Sequence, residues 1–298
     1  MPAGGSRITL KESNLKKATE RVAFQGEKGA FSQEAVRKLL GERAEVIPCQ
    51  RFEDVFLRLK EKEATAAVVP IENTLAGSVH ENYDHLLAYD FEIRAETNVR
   101  INHHLIAPPG VRFRDIRQVY SHPVALNQCL RFFNENPQIE RVPFYDTAGS
   151  VRMVMTEKRK DAAAIGSAVA AEIYGAHIVR RSLEDDRRNF TRFFLLRRPD
   201  YPKRERCASA RNVEWKTTLV FSTRNTPGSL FRALSAFALR DVNLTKIESR
   251  PLRGRPWEYL FYVDFMGRVD EERVRNALGH LRELADFMRV LGCYPKGC

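Results

Sequence analysis

Short apolar strands alternate with amphipathic helices from residue 21 to residue 198, and this alternation constrains the fold more than any other feature of the sequence. The run at 66–69 is continuously apolar, which is typical of a strand buried on both faces. Segment 52–62 carries apolar side chains at helical spacing, namely Phe52, Val55, Phe56 and Leu59. Among the further elements, we predict strand structure near 93–107 and a helix at 123–135. Strands that alternate with helices predict an α/β domain with a mostly parallel sheet.

A second, smaller pattern begins after a Pro-containing basic stretch at 199–213, which we interpret as a linker. Residues 214–298 follow the order strand, helix, strand, strand, helix, strand, which is the ferredoxin-like arrangement. Residues 1–20 are polar and Lys-rich, so we expect a flexible or accessory segment there. Residues 21–198 then form the larger domain.

The net charge of +11 is the one feature that favours nucleic acid, but basic and acidic residues are interspersed along the chain. A positive potential also attracts anionic metabolites, which we expect to be the ligands. No apolar run approaches the length of a membrane span, and the first residues lack the apolar core of a secretory signal. We therefore expect a cytoplasmic protein that binds neither nucleic acid nor membrane.

No motif predicts a metal or a cofactor. The five cysteines are widely spaced, which argues against disulfides and zinc, and neither a P-loop nor a dinucleotide fingerprint occurs. His103 and His104 are adjacent on an apparent strand, so we interpret them as structural. His122 lies at a strand-to-helix junction and is a candidate cleft residue.

Five strand-to-helix junctions of the larger domain carry small or hydroxyl residues. Helix N-termini present free N–H groups and a partial positive charge, so they bind carboxylates and phosphates. Taken singly, each Ser or Thr is an ordinary helix cap. Together they predict an anion-binding cleft, whose candidate substrate-binding residues are Ser32, Asn73, Ser78, Ser121, His122, Thr147, Ser167 and Asn189.

The stretch 189–194 places a hydroxyl beside a guanidinium between aromatic residues. Arg192 can bind a carboxylate through two hydrogen bonds, and Thr191 can donate one to a reacting oxygen. The alternative is an ordinary strand end with alternating faces, and that alternation could point Arg192 away from Thr191. Thr191, Arg192 and Phe193 are the candidate catalytic residues.

These motifs resemble the monofunctional prephenate dehydratases that carry a C-terminal ACT domain. The similarity covers residues 21–294 and rests on motifs in the family's order, namely Gly29-Ala30-Phe31-Ser32, Val69-Pro70-Ile71-Glu72-Asn73, Ser121-His122-Pro123, Gln128-Cys129, Asp146-Thr147-Ala148-Gly149 and Asn189-Phe190-Thr191-Arg192-Phe193. The resemblance implies a two-lobed, periplasmic-binding-protein-like catalytic domain. It also implies decarboxylating dehydration of prephenate to phenylpyruvate, with Thr191 as the essential threonine.

The resemblance further implies an effector site and an oligomer. The ACT domain would bind L-phenylalanine as a feedback effector through Asn225, Pro227, Gly228, Ser229, Leu230, Asn243, Leu244, Glu248 and Ser249. ACT domains commonly bind amino acids between paired copies, so a homodimer or homotetramer is expected. Departures from the family at Glu27-Lys28, Ser150 and Ser229-Leu230-Phe231 leave open the sign and strength of regulation and the choice of substrate.

Two alternative functions remain open. Arogenate dehydratase performs the same elimination on the transaminated analogue, and no residue decides between the two substrates. A non-catalytic amino-acid sensor would use the same two-lobed architecture, although the intact Thr191-Arg192-Phe193 argues against it.

Overall fold

The computed structural model describes residues 20–202, 213–252 and 254–297. The predicted accessory segment 1–20 lies outside these ranges apart from Glu20, as does most of the predicted linker 199–213. The exact boundaries between the domains therefore stay predictions.

The larger domain opens with a first α/β lobe. Its elements up to residue 100 are β1 (Arg21–Gln25), α1 (Phe31–Leu40), β2 (Glu45–Cys49), α2 (Phe52–Lys60), β3 (Ala66–Asn73), β4 (Gly77–Ser78), α3 (His80–Ala88) and β5 (Glu92–Arg100). The apolar spacing of 52–62 forms α2 as predicted, with Val55, Phe56 and Leu59 fully buried.

A second lobe follows, and the chain then returns to the first. Its elements are β6 (His104–Ala107), β7 (Gln118–Ser121), α4 (Pro123–Asn127), α5 (Leu130–Glu135), β8 (Glu140–Pro143), α6 (Thr147–Thr156), β9 (Ala162–Gly166), α7 (Ala168–Tyr174) and β10 (His177–Arg180). Strand β11 (Phe190–Arg197) inserts into the first sheet, whose order is β2-β1-β3-β11-β5, with β4 on β3. The second sheet has the order β10-β6-β9-β7-β8. The chain therefore crosses between the lobes twice, and the two-lobed prediction is confirmed.

Both sheets are mixed, so the prediction of mostly parallel sheet is wrong. In the first sheet β1 pairs in parallel with β2 and β3, but β11 runs antiparallel to β3 and β5. In the second sheet β7 is parallel to its neighbours, whereas β6 is antiparallel to β9 and β10. Apart from the short β4, which is antiparallel to β3, the reversed strands are β11 and β6, and each is the first strand that the chain forms after it crosses into the other lobe.

Two predicted elements are split. The strand region 93–107 is β5 and β6, which lie in different sheets, because the chain changes lobe at 101–103. The helix predicted at 123–135 is α4 and α5. The break is stabilised by Asp185, whose carboxylate accepts hydrogen bonds from the backbone N–H groups of Leu130 (2.8 Å) and Arg131 (3.1 Å).

The C-terminal domain has the predicted strand and helix order. Its elements are β12 (Trp215–Ser222), α8 (Ser229–Ala238), β13 (Leu244–Pro251), β14 (Tyr259–Met266), α9 (Glu272–Leu284) and β15 (Phe287–Pro295). The antiparallel sheet has the order β13-β14-β12-β15. One face of it packs against α8 and α9 through residues such as Phe237 and Phe265.

The other face of this sheet packs against the first lobe. Leu291 and Tyr294 share a buried apolar cluster with Phe194 and Leu196 of β11. Phe193 and Leu195 point the opposite way, into the core that joins the two lobes. Strand β11 therefore has one face toward the lobe interface and one toward the C-terminal domain. Within the described ranges, no helix is both long and apolar enough to cross a membrane.

Candidate active site

Thr191 and Asn73 form the centre of the candidate site. They are opposite each other in the β11–β3 register, and Asn73 Nδ2 donates a hydrogen bond to Thr191 Oγ1 at 2.9 Å. Asn73 Oδ1 accepts hydrogen bonds from the backbone N–H groups of Leu75 (2.9 Å) and Ala76 (2.8 Å), which fixes the orientation of the amide.

The hydroxyl hydrogen of Thr191 is left available by this arrangement. A threonine hydroxyl has one hydrogen to donate and two lone pairs, and Asn73 occupies one lone pair. Among the described residues, no acceptor of the protein takes that hydrogen. Thr191 is only 9% exposed, so water has little access to it. The geometry presents a preoriented hydrogen-bond donor to whatever occupies the cleft.

A chain of amides links this pair to the second lobe. Asn73 Nδ2 also donates to Asn189 Oδ1 (2.7 Å), and Asn189 Nδ2 donates to Gln128 Oε1 (2.9 Å). His103 Nε2 lies 2.9 Å from the same Gln128 oxygen, so this nitrogen carries the hydrogen. Burial lowers the pKa of His103, which keeps its ring neutral near pH 7. These contacts orient Asn189, and through it Asn73.

Gln128 and His103 are the functional residues that sequence reasoning missed. His103 precedes β6 instead of lying within a strand, so its interpretation as an alternating strand residue is wrong. Gln128 belongs to the Gln128-Cys129 motif, and that motif was the available signal. An isolated histidine and glutamine, 25 residues apart, have no local pattern that reveals their contact.

The lobes are in close contact beside the site. Ser167 Oγ caps α7 by accepting from Ala170 N (3.0 Å) and donates to the carbonyl of Gly29 in the opposite lobe (2.6 Å). Gly29 has φ +92°, and a Cβ there would lie 2.6 Å from the Cα of Ala170. Only glycine allows both this backbone and this approach. Ser167 is therefore committed to holding the lobes together.

Most of the other predicted substrate-binding residues hydrogen-bond within the catalytic domain or contact the C-terminal domain. Ser121 is fully buried and donates to the Ile165 carbonyl (2.7 Å), while His122 Nδ1 caps α4 by accepting from Val124 N (3.2 Å). Ser78 contacts the C-terminal domain, with its Oγ accepting from Lys246 and donating to Glu248. The prediction that Ser78 lines the cleft is thus corrected. Ser32 and Thr147 lie in the first turns of α1 and α6.

Arg192 points away from Thr191, as strand alternation allows. Its guanidinium is buried among Glu96 Oε2 (2.6 Å), Asp264 Oδ2 (2.5 Å), Glu72 Oε1 (3.1 Å) and the Tyr294 hydroxyl (3.2 Å). The interpretation of Arg192 as a substrate-carboxylate ligand is therefore corrected. Phe193, also predicted to be catalytic, is 2% exposed and packs in the core between the lobes.

Glu72 makes the contact between the domains pH-dependent. Burial raises the pKa of Glu72, but hydrogen bonds from Lys246 and Arg192 outweigh burial and hold the pKa below its ordinary value of 4.5. A lowered carboxyl pKa contributes stability that is present above pH 4.5 and is lost as the pH falls through the lowered value. We expect the urea concentration at the unfolding midpoint to decrease as the pH is lowered from 6 to 3.5. In Glu72→Gln this decrease should be smaller. An equal decrease in both proteins would contradict the role of the Glu72 carboxylate.

The C-terminal domain has two cavities beside the predicted effector turn. One, of about 340 Å³, is lined by Arg224, Thr226, Ser229 and Arg232 together with residues 283–286. The other, of about 660 Å³, includes Arg224, Asn225, Leu260 and Phe287. Asn225 and Ser229 thus line cavities as effector residues would. Arg224 borders both cavities and was not predicted.

The remaining predicted effector residues are placed as follows. Gly228 has φ +78° and precedes α8, and Leu230 packs against the domain core. Pro227, Asn243 and Ser249 are exposed. Leu244 packs on the helix-facing core. Glu248 points to the catalytic domain, where it lies 3.2 Å from His80 Nε2.

Comparison with known families decides the affiliation. The sequence profile of the family described as prephenate dehydratase matches residues 22–201. The chain belongs to the prephenate dehydratase family. A profile described as ACT domain matches residues 217–283. As a member of this family, it is an enzyme, a carbon–oxygen lyase. Among the described residues, no group of three or more His, Cys, Asp or Glu side chains could hold a metal ion.

Similar proteins include members of the family with assigned substrates. The chain is 42% identical over 303 residues to arogenate dehydratase/prephenate dehydratase 2, chloroplastic, of Arabidopsis thaliana, covering 99% of this chain and 77% of that protein. Prephenate dehydratase from Arthrobacter aurescens in complex with L-Phe is 32% identical, with a TM-score of 0.82 and coverage of 93% and 90%. GqqA, described as a novel type of quorum quenching acylase, is 33% identical, with a TM-score of 0.83 and coverage of 92% and 97%.

Proposed function

We propose that this prephenate dehydratase family member converts prephenate into phenylpyruvate, carbon dioxide and water, a step of phenylalanine biosynthesis. The observation that carries the proposal is the Thr191 hydroxyl. Asn73 donates to its oxygen at 2.9 Å, and among the described residues no protein acceptor takes its hydrogen, which leaves that hydrogen free to donate to a bound substrate. A dehydratase needs such a donor at the oxygen that leaves.

The reaction breaks two bonds of the substrate ring. The electron pair of the bond to the ring carboxylate becomes part of the aromatic ring as carbon dioxide leaves. The bond to the ring hydroxyl breaks with its electron pair on oxygen, which takes up one proton supplied in net terms by the solvent and departs as water. Thr191 is too weak an acid to transfer its proton beforehand, so it assists by a hydrogen bond that strengthens as negative charge develops. Assistance of this kind contributes about 10²–10⁴-fold.

The substrate carboxylates need cationic or N–H partners, and Arg192 does not supply one because it is committed elsewhere. The first turns of α1 and α6, with Ser32 and Thr147, offer partial positive charge instead. Their N-caps approach each other across the lobes, since a Cβ at Gly26 would lie 3.1 Å from the Cβ of Ala30, the N-cap of α1, and 3.2 Å from Oδ2 of Asp146, the N-cap of α6. Both turns belong to helices of 10 residues.

Feedback regulation by phenylalanine is part of the proposal. The Arthrobacter aurescens relative was solved in complex with L-Phe, and the family is joined here to an ACT domain. The cavity lined by Arg224, Ser229 and Arg232 offers two guanidinium groups for an amino-acid carboxylate. A homodimer or homotetramer and a cytoplasmic location stay predictions.

Arogenate is the second candidate substrate. The similar protein from Arabidopsis thaliana is named for both arogenate and prephenate, so the relatives allow either. The two substrates differ only where one has an amine and the other a keto group. Both would use Thr191 in the same way.

Parallel assays separate these substrates. The purified chain is given prephenate or arogenate, and kcat/KM is measured for each from phenylpyruvate or phenylalanine formation. We expect the larger value with prephenate. A ratio that favours arogenate would replace prephenate by the second candidate, and phenylalanine at saturation should reduce the rate if the regulatory part is correct.

A further inference from the structure

Two successive residue pairs of the β3–β11 ladder, here called rungs, have their side chains on opposite faces of the sheet. Thr191 is paired with Asn73, and the next rung pairs Arg192 with Glu72. Because side chains alternate along a strand, the first pair faces the cleft and the second pair faces the C-terminal domain. The catalytic pair and the charged pair therefore share the same short piece of backbone.

The charged rung is held by the ACT domain. Lys246 of β13 binds Glu72, and Asp264 of β14 and Tyr294 of β15 bind Arg192. Lys216 of β12 binds Glu96 (2.7 Å), which also binds Arg192. Every strand of the ACT sheet thus contributes one contact to this cluster, and Arg192, Glu96 and Asp264 are almost completely buried.

Ion pairs connect the members of this cluster. Three cations, Arg192, Lys216 and Lys246, face the carboxylates of Glu72, Glu96 and Asp264, and Glu248 adds a fourth carboxylate 3.7 Å from Lys246. Removing one member of such a buried group leaves an uncompensated charge that moves its neighbours.

A β-bulge follows the charged rung directly. The register of β11 against β3 shifts between Arg192 and Phe193, which are opposite Glu72 and Pro70. Bulges bend a strand and change the direction of nearby side chains. The regular pairing is interrupted after Arg192 and resumes at Phe193, so the pair of Arg192 and Glu72 lies between the bulge and the pair of Thr191 and Asn73.

We infer that Glu72 and Arg192 are positioning residues, through which the docked ACT sheet holds the Asn73–Thr191 hydrogen bond in its reactive geometry. The loss of turnover that this inference predicts rests on the proposed function, whereas the predicted loss of order around residues 188–194 does not. Misplacement of a catalytic group by about 1 Å can cost on the order of 10²-fold in rate.

Two substitutions on the same ACT strand test the inference. Lys246→Gln removes the cation that binds Glu72. Arg250→Gln removes a cation on the same face of β13 that binds Asp84 of α3 (3.1 Å), away from the charged rung. Without phenylalanine, Lys246→Gln should lower kcat about 10-fold or more with KM within about twofold, while Arg250→Gln leaves kcat near wild type. Equal kcat losses in the two variants would overturn the inference.

A second readout is independent of turnover. Hydrogen exchange of the peptide 188–194 should become faster in Lys246→Gln and stay at the wild-type rate in Arg250→Gln. In a Thr191→Ala background, Lys246→Gln should change the residual kcat by less than about twofold, because the positioned group is gone. If the wild-type chain turns over neither substrate but the exchange difference persists, the proposed reaction fails and the positioning stands. Identical exchange in both variants would overturn the positioning.

Discussion

Replacing Thr191 with alanine is expected to lower kcat by about 10²–10⁴-fold while KM changes little, because the hydroxyl acts on the leaving oxygen and contributes little to binding the ground state. Thr191 lies in β11 between β3 and β5, and alanine is smaller than threonine, so the substitution keeps the strand and removes the hydroxyl that accepts from Asn73. The measurement is steady-state kinetics of the purified variant with prephenate.

Thr191→Ser is the matched control for this substitution. Serine keeps the hydroxyl and the hydrogen bond from Asn73, and it loses the methyl group that restricts side-chain rotation. We expect it to retain much more of kcat than alanine does. Near-normal turnover by Thr191→Ala, or equal losses in both variants, would remove the hydroxyl from the mechanism.

Replacing Gly292 with alanine is expected to lower the free energy of unfolding more than any other substitution proposed here. Gly292 lies on β15 where it crosses β5, and a Cβ there would lie only 2.2 Å from the backbone oxygen of Ile93. Neither strand can move without disturbing its own sheet, since Gly292 is paired with Thr218 of β12. Overpacking of this kind costs about 1–3 kcal/mol, and a contact with backbone belongs at the upper end. Urea unfolding followed by circular dichroism measures the loss.

Gly279→Ala is the control for Gly292→Ala in the same domain. Gly279 lies inside α9, and a Cβ there meets nothing within 4 Å. Alanine is favoured over glycine in a helix by roughly 0.5–1 kcal/mol, so this variant should be more stable than wild type. A Gly292→Ala protein as stable as wild type would contradict the described contact between β15 and β5.

Local sequence patterns predict the elements of this fold better than their pairing. The spacing of Val55, Phe56 and Leu59 specifies a helix without reference to the rest of the chain. The position of β11 between β3 and β5 depends on partners roughly 100 residues away, which no local period records. The same limit explains the division of 93–107 into β5 and β6, because no local sequence signal marks the point at which the chain changes sheet.

The candidate site shows a similar division. The sequence motifs predict Asn73, Asn189 and Thr191 as site residues, and the structure places them within one hydrogen-bond network. Arg192 was assigned to the cleft because its chemistry suits a carboxylate, yet its partners Asp264 and Tyr294 come from another domain. Charge and hydrogen-bonding capacity are properties of a residue, whereas the partner depends on the tertiary fold.

The most direct test of the account is the stoichiometry of the reaction catalysed by the purified chain. Prephenate carrying a labelled ring carboxylate is incubated with wild-type protein and with Thr191→Ala, and labelled carbon dioxide and phenylpyruvate are counted together. We expect one carbon dioxide for each phenylpyruvate from the wild type, with both rates reduced in parallel by the substitution. Folded wild-type protein that releases neither product, from prephenate or from arogenate, would contradict it.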